Sequence, residues 1–148
     1  VSVAVRKVDR VSIAVRSLDR ARAFFERHFG AEFGPVEDVR VDGYRYVPFT
    51  IAGFTLELLE PYDAKSPIAR FLDRRGEGIY QLSFTVDDVP AAAATLRAEG
   101  LSVIGPRTYD EDVVLEGCRW TEAFVHPKDA HGVLIFLGHR TPVTAEST

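Results

Sequence analysis

One arrangement occurs twice in this chain: a short alternating strand, a cap, a helix and a closing glycine. The first copy is VDRVSIAVRSLDRARAFFERHFG from Val8 and the second is IYQLSFTVDDVPAAAATLRAEG from Ile79. In both, the apolar period changes from that of a strand to that of a helix. Each half also ends in a β-rich segment, FTLELLE from Phe54 and GVLIFLG from Gly132. A half of this size buries too little apolar surface to stand alone, whereas paired halves can share a core. The expectation is an α+β chain of two paired βαβββ modules, with a curved mixed or antiparallel sheet around one cavity. Equivalent positions of the two halves then supply that cavity.

The local signals are specific. Val11, Ile13 and Val15 alternate with Arg10, Ser12 and Ala14, so the two sets face opposite ways. Ser17 is placed to cap a helix whose apolar side is Leu18, Ala21, Phe25 and Phe29, with Gly30 at its end. YRYVPFTIAG and FTLELLE read as a hairpin turning at Ala52-Gly53. Ser66-Pro67 opens a short helix carrying Ile68, Phe71 and Leu72, which stops at Arg74-Arg75-Gly76. In the second half Leu82, Phe84 and Val86 alternate with Gln81, Ser83 and Thr85. Asp88 then caps a helix with Pro90 in its first turn, and Gly100 closes it. A loop through Pro106 leads to RWTEAFV, and His126 to Gly132 connect that strand to GVLIFLG. The expected boundaries are residues 1–7 as an extra N-terminal strand or extension, 8–60 as the first module and 61–78 as a linker helix. Residues 79–139 form the second module and 140–148 a polar, flexible tail. The ten-residue echo of VSVAVRKVDR in VSIAVRSLDR carries no functional weight.

Composition excludes several classes of function. The formal charge is −4 and basic residues are interleaved with acids, which argues against a nucleic-acid face. No apolar run reaches the length of a transmembrane helix, and nothing reads as a signal peptide. The absence of methionine implies a trimmed start. Cys118 is the only cysteine, so no internal disulfide forms, in keeping with a cytoplasmic location. Aromatic residues concentrate in the middle strands, at Tyr44, Tyr46, Phe49 and Trp120.

The stretches VDRVSIAVRSLDRA, LELLEP, SPIARFLDRRGEGI and FVHPKDAHGVLI, in this order across residues 8 to 137, resemble the vicinal oxygen chelate superfamily (glyoxalase, bleomycin resistance, dioxygenase), and within it the methylmalonyl-CoA epimerase-like proteins. The resemblance implies a glyoxalase-like fold and a divalent metal held by one ligand from each of four equivalent strands. Those positions fall on Arg10, Glu57, Gln81 and Phe136. Only Glu57 is an ordinary ligand type; arginine has no lone pair to give and phenylalanine has no donor. His28, His126, His131 and His139 are read as structural or solvated. The expectation is therefore a degenerate metal site with no cofactor.

In that setting Arg10 supplies positive charge for an anionic oxygen and Glu57 acts as a base toward a proton beside a carbonyl. Gln81 orients a carbonyl and Phe136 forms apolar wall, with Ser12, Ser83 and Trp120 as further substrate-binding positions. Glu122, in RWTEAFV, is the candidate second acid–base group. The functional expectation is an isomerase- or lyase-like enzyme, epimerase-like and independent of metal, acting on a small carbonyl compound or acyl thioester. The alternatives are a metal-free binding protein that sequesters an antibiotic or other small molecule, and a regulatory or structural remnant. A small-molecule ligand and a homodimer are the expected partners, the latter through exposed edge strands.

Overall fold

The computed structural model describes residues 2–144. The chain divides into two compact units, one spanning Arg10–Tyr80 and the other formed by residues 81–144 with residues 2–9.

The first unit contains the second half of β1 (Val5–Ala14), then α1 (Leu18–Phe29), β2 (Glu32–Phe33), β3 (Glu37–Val39), β4 (Tyr44–Ile51), β5 (Phe54–Pro61) and α2 (Pro67–Arg75). Its strands run in the order β2-β4-β5-β1, with β3 also on β4. The β4–β5 pair is an antiparallel hairpin, whereas β1 lies parallel to β5 with Ser12 opposite Glu57. Alternation sends Ile13, Val15, Val47, Phe49 and Leu58 to the helical side, where Leu18, Ala21 and Phe25 of α1 cover them. Phe33 stacks on Phe49 with centroids 4.6 Å apart, sealing this core. Phe29 departs from expectation: it is 58% exposed, because α1 ends there. Gly30 closes the helix at φ 62°, a left-handed conformation that glycine adopts without strain. Ser17 and Ser66 cap α1 and α2 through their side-chain oxygens.

Pro48 has a positional logic of its own. It lies in β4 between the stretch paired with β3 and the stretch paired with β2. The missing N–H therefore leaves no ladder bond unmade on that side, while the Pro48 carbonyl still accepts from the Gly34 N–H at 2.9 Å.

The second unit repeats the order with most of β6 (Gly78–Val86), then α3 (Val89–Ala98), β7 (Val103–Thr108), β8 (Cys118–Val125) and β9 (Ile135–Pro142). The strand order is β6-β9-β8-β7. Here β6 lies parallel to β9 with Ser83 opposite Phe136, and β8–β9 is the antiparallel pair. Val89, Ala92 and Ala93 of α3 pack on Val86, Ala123, Val125 and Leu137, with Phe84 and Val103 beside them. Asp88 caps α3 by accepting from the Ala91 N–H at 2.9 Å.

Three expectations are corrected. Residues 2–4 form no strand; β1 begins at Val5 and runs unbroken through the echo, while Val3 packs against the second core. The stretch around Pro106 is a strand, β7, because β8 offers it an edge to pair with. The tail begins later than residue 140: Thr141 and Pro142 pair with Arg119 and Cys118 in β9. The last residues, 145–148, lie outside the described structure. No helix among the described residues is long and apolar enough to cross a membrane.

Candidate functional site

Each unit has a sheet face turned away from its helix-covered core, and the parallel strand pairs organise both faces alike. In the first unit Ser12 of β1 stands opposite Glu57 of β5; in the second, Ser83 of β6 stands opposite Phe136 of β9. Arg10 and Gln81 lie two positions earlier on their strands and so share the faces of Ser12 and Ser83.

The first unit brings Arg10, Ser12 and Glu57 together. Arg10 Nη1 donates to Glu57 Oε2 at 3.0 Å, and the Ser12 hydroxyl donates to Glu57 Oε1 at 2.6 Å. All three side chains are buried; Arg10 and Glu57 are only 5% and 7% exposed. A carboxylate taken out of water is costly unless its charge is balanced and its lone pairs are used. The Arg10 guanidinium helps to balance the charge and the Ser12 hydroxyl uses a lone pair. Tyr46, also buried, and Pro48, paired with Glu57 across the hairpin, belong to the same face of β4. Phe49 does not: it belongs to the core on the other side.

In the second unit Gln81 and Ser83 are buried on β6. Trp120, Glu122 and Phe124 alternate along β8, on the face opposite Ala123 and Val125. Glu122 is 5% exposed and accepts at Oε1 from Arg107 Nε at 3.1 Å, from Arg107 Nη2 and from the Tyr109 hydroxyl at 3.0 Å. Arg107 Nη2 also donates to the Tyr109 hydroxyl oxygen at 2.7 Å. Arg107 and Tyr109 were not among the expected site residues. The pair depends on a bulge in β7 between Ile104 and Arg107, where the register slips by one and brings Arg107 opposite Glu122. Simple alternation cannot show such a pair; the one available signal was Arg107 and Tyr109 at strand spacing.

Phe136 is half-buried, edge-on to Phe124 at 5.4 Å and to Trp120 at 6.3 Å between centroids. The Trp120 indole N–H donates to the Leu115 carbonyl at 2.8 Å, which fixes that ring. Gly138 lets the Phe136 ring lie flat along its own strand: a Cβ there would collide with Cε1 and stand 3.0 Å from Cζ.

His28, His126 and His131 are exposed, and His139 is half-buried. His126 accepts from the Lys128 N–H at 3.0 Å, and His139 Nδ1 meets the Val86 carbonyl at 3.2 Å. His28 packs beside Phe24 on α1, and His131 takes a positive φ in the turn before β9. Among the described residues no three His, Cys, Asp or Glu side chains converge as a metal site.

Residues 9–118 match the Glyoxalase/Bleomycin resistance protein/Dioxygenase superfamily. An ethylmalonyl-CoA/methylmalonyl-CoA epimerase of Cereibacter sphaeroides is 32% identical, over 90% of this chain and 97% of that one. The crystal structure of methylmalonyl-CoA epimerase from Mycobacterium tuberculosis superposes with a TM-score of 0.80 at 33% identity, covering 99% of this chain and 95% of the other. A methylmalonyl-CoA epimerase in complex with methylmalonyl-CoA and NH4+ gives a TM-score of 0.77 at 33% identity, covering 91% and 94%. The α+β expectation and its glyoxalase-like fold hold.

These relatives correct the expectation that no cofactor is involved. Methylmalonyl-CoA epimerases use a divalent metal, and one solved relative holds a cation together with its substrate. In this chain Arg10 has no lone pair to offer, Phe136 has no donor atom, and Glu57 is shared by Arg10 and Ser12.

Proposed function

We propose that this chain, which belongs to the Glyoxalase/Bleomycin resistance protein/Dioxygenase superfamily, is an epimerase-like enzyme that moves a proton at the carbon beside a thioester carbonyl. The observation that carries the proposal is the buried Arg10–Glu57–Ser12 cluster. The similarity to epimerases of acyl-CoA compounds supports the acyl thioester as the substrate class.

In this reading the thioester oxygen takes the Arg10 guanidinium from Glu57. That exchange leaves the carboxylate with fewer donors and makes it more basic. The α C–H bond then breaks, the proton goes to Glu57, and the electron pair passes into an enolate whose oxygen faces Arg10. Ser12 keeps the carboxylate oriented. Reprotonation of the same carbon from its other side gives the epimer; Glu122, with the Tyr109 phenol on its Oε1, is proposed as the acid–base group of its own unit's face. Gln81, Ser83, Phe136 and Trp120 are proposed as ligand-contacting groups of their own unit's face. A cytoplasmic homodimer remains part of the proposal, resting on the single cysteine and the exposed strand edges, and light scattering of the purified chain tests the dimer.

The test is α-hydrogen exchange of methylmalonyl-CoA or propionyl-CoA in deuterated water. Exchange is expected with the native chain and is expected to fall about 100-fold or more in Glu57→Gln. Native-level exchange in that variant removes Glu57 from the chemistry. The grouped rings of Trp120, Phe124 and Phe136 favour one other reading, a protein that binds and sequesters a small apolar molecule. That reading predicts tight binding with no exchange.

A further inference from the structure

We infer that the aromatic face of the second unit selects a flat, uncharged acyl group, an aryl acyl thioester rather than a malonyl-type one. This deepens, and rests on, the reading of the chain as an acyl-thioester enzyme. The internal repeat supplies the first argument. The strand position that carries a carboxylate in the first unit, Glu57 opposite Ser12, carries a phenyl ring in the second, Phe136 opposite Ser83.

The second argument is that the ring is seated. Phe136 lies along Gly138 and meets Phe124 and Trp120 edge-on, with interplanar angles of 71° and 61°. Trp120 is held by its bond to Leu115 and by the Arg140 guanidinium 5.4 Å from its ring centroid. A wall already fixed in place loses little side-chain freedom when a ligand ring packs on it.

The third argument is charge. A second carboxylate on the acyl group would need an uncommitted cation nearby. Arg107 is spent on Glu122 and Tyr109, and Arg140 is shared by Asp9 at 3.6 Å and Glu116 at 4.0 Å. Gln81 and Ser83 add polar but neutral groups on β6. An uncharged ring suits this surface, and a dicarboxylic acyl group would strand its charge against it.

Trp120 is the only tryptophan of the chain, so selective tryptophan fluorescence reports from this wall directly. The experiment titrates the full chain with 2-phenylpropionyl-CoA, methylmalonyl-CoA and free CoA. The aryl thioester is expected to bind about tenfold or more tightly than methylmalonyl-CoA, the scale expected for burying one ring. Phe136→Ala is expected to erase that preference, and Gly138→Ala, which pushes the ring off its seat, to reduce it. Circular dichroism confirms that both variants are folded, and Phe136→Leu replaces Phe136→Ala if the latter is not. Equal or tighter binding of methylmalonyl-CoA, or a preference that survives the change at Phe136, overturns the inference. Aryl preference without any α-hydrogen exchange would refute the enzymatic reading and leave the binding preference standing. Exchange on methylmalonyl-CoA without aryl preference would do the reverse.

Discussion

Arg10 and Glu57 are 47 positions apart in the chain and 3.0 Å apart in the fold, on neighbouring parallel strands, almost sealed from water. Each charge helps to balance the other in a setting nearly closed to water. Arg10→Met is therefore expected to destabilise the chain by about 3–5 kcal/mol, the cost of stranding a buried carboxylate. The double variant Arg10→Met with Glu57→Leu is expected to recover most of that loss while abolishing α-hydrogen exchange. Urea denaturation read by circular dichroism measures both; a double variant no more stable than the single one would mean that the pair's charges are not what couples them.

Ser12 gives Glu57 a neutral donor at 2.6 Å from a position with no solvent access. Ser12→Ala leaves one carboxylate oxygen short of that donor and is expected to cost about 1–3 kcal/mol. The same variant is expected to lower the exchange rate while leaving thioester affinity nearly unchanged, since the hydroxyl orients the base and is not proposed to hold the ligand. A drop confined to affinity would place Ser12 on the ligand instead.

The hairpin between β4 and β5 turns on Ala52 at φ 50° and Gly53 at φ 80°. Both central residues of such a turn need positive φ, which alanine adopts reluctantly and asparagine or glycine readily. Ala52→Asn is expected to stabilise the chain by about 0.5–1 kcal/mol, visible as a raised urea midpoint with an unchanged slope.

Burial pushes the Tyr80 phenol up from 10.0 to about 12, with Asp42 adding to the rise and Arg70 and Arg74 opposing it. The folded value lies above the unfolded one, so the stability linked to this group is fully present below the ordinary phenol range and is lost as pH climbs toward the raised value. Phenolate absorbance is expected to show a late-titrating tyrosine that disappears in Tyr80→Phe. The same substitution is expected to lessen the alkaline loss of stability. A titration unchanged by the substitution would assign the late component elsewhere.

Much of the fold was legible because its signals are local. Ser17, Ser66 and Asp88 announce their helices by cap chemistry, and Ala52-Gly53 announces a hairpin by turn chemistry. The faces of β1 and β6 follow from period-two alternation, which is why Arg10, Ser12, Gln81 and Ser83 were nameable. The environment of Glu122 was not, since Arg107 reaches it only through a one-residue slip that alternation has no means to signal. The true ends of β1 and β9 were equally hidden: strand length depends on whether a neighbouring strand is there to accept hydrogen bonds, a tertiary fact. Cation use by the relatives could not be read from donor chemistry at the four repeat positions at all.

The pairing pattern also sets an order of assembly. The hairpin β4–β5 closes over a turn, whereas joining β1 to β5 must gather a far longer stretch of chain, and β6 to β9 likewise. Long loops lose more entropy on closure and slow the steps that need them. The hairpins are therefore expected to form early, and the Arg10–Glu57 contact to form on the native side of the folding barrier, which the unfolding and refolding rates of variants at the two positions check. Substitutions there should hasten unfolding and leave refolding nearly untouched, so the chemistry of this chain can change without first compromising its route to the native state.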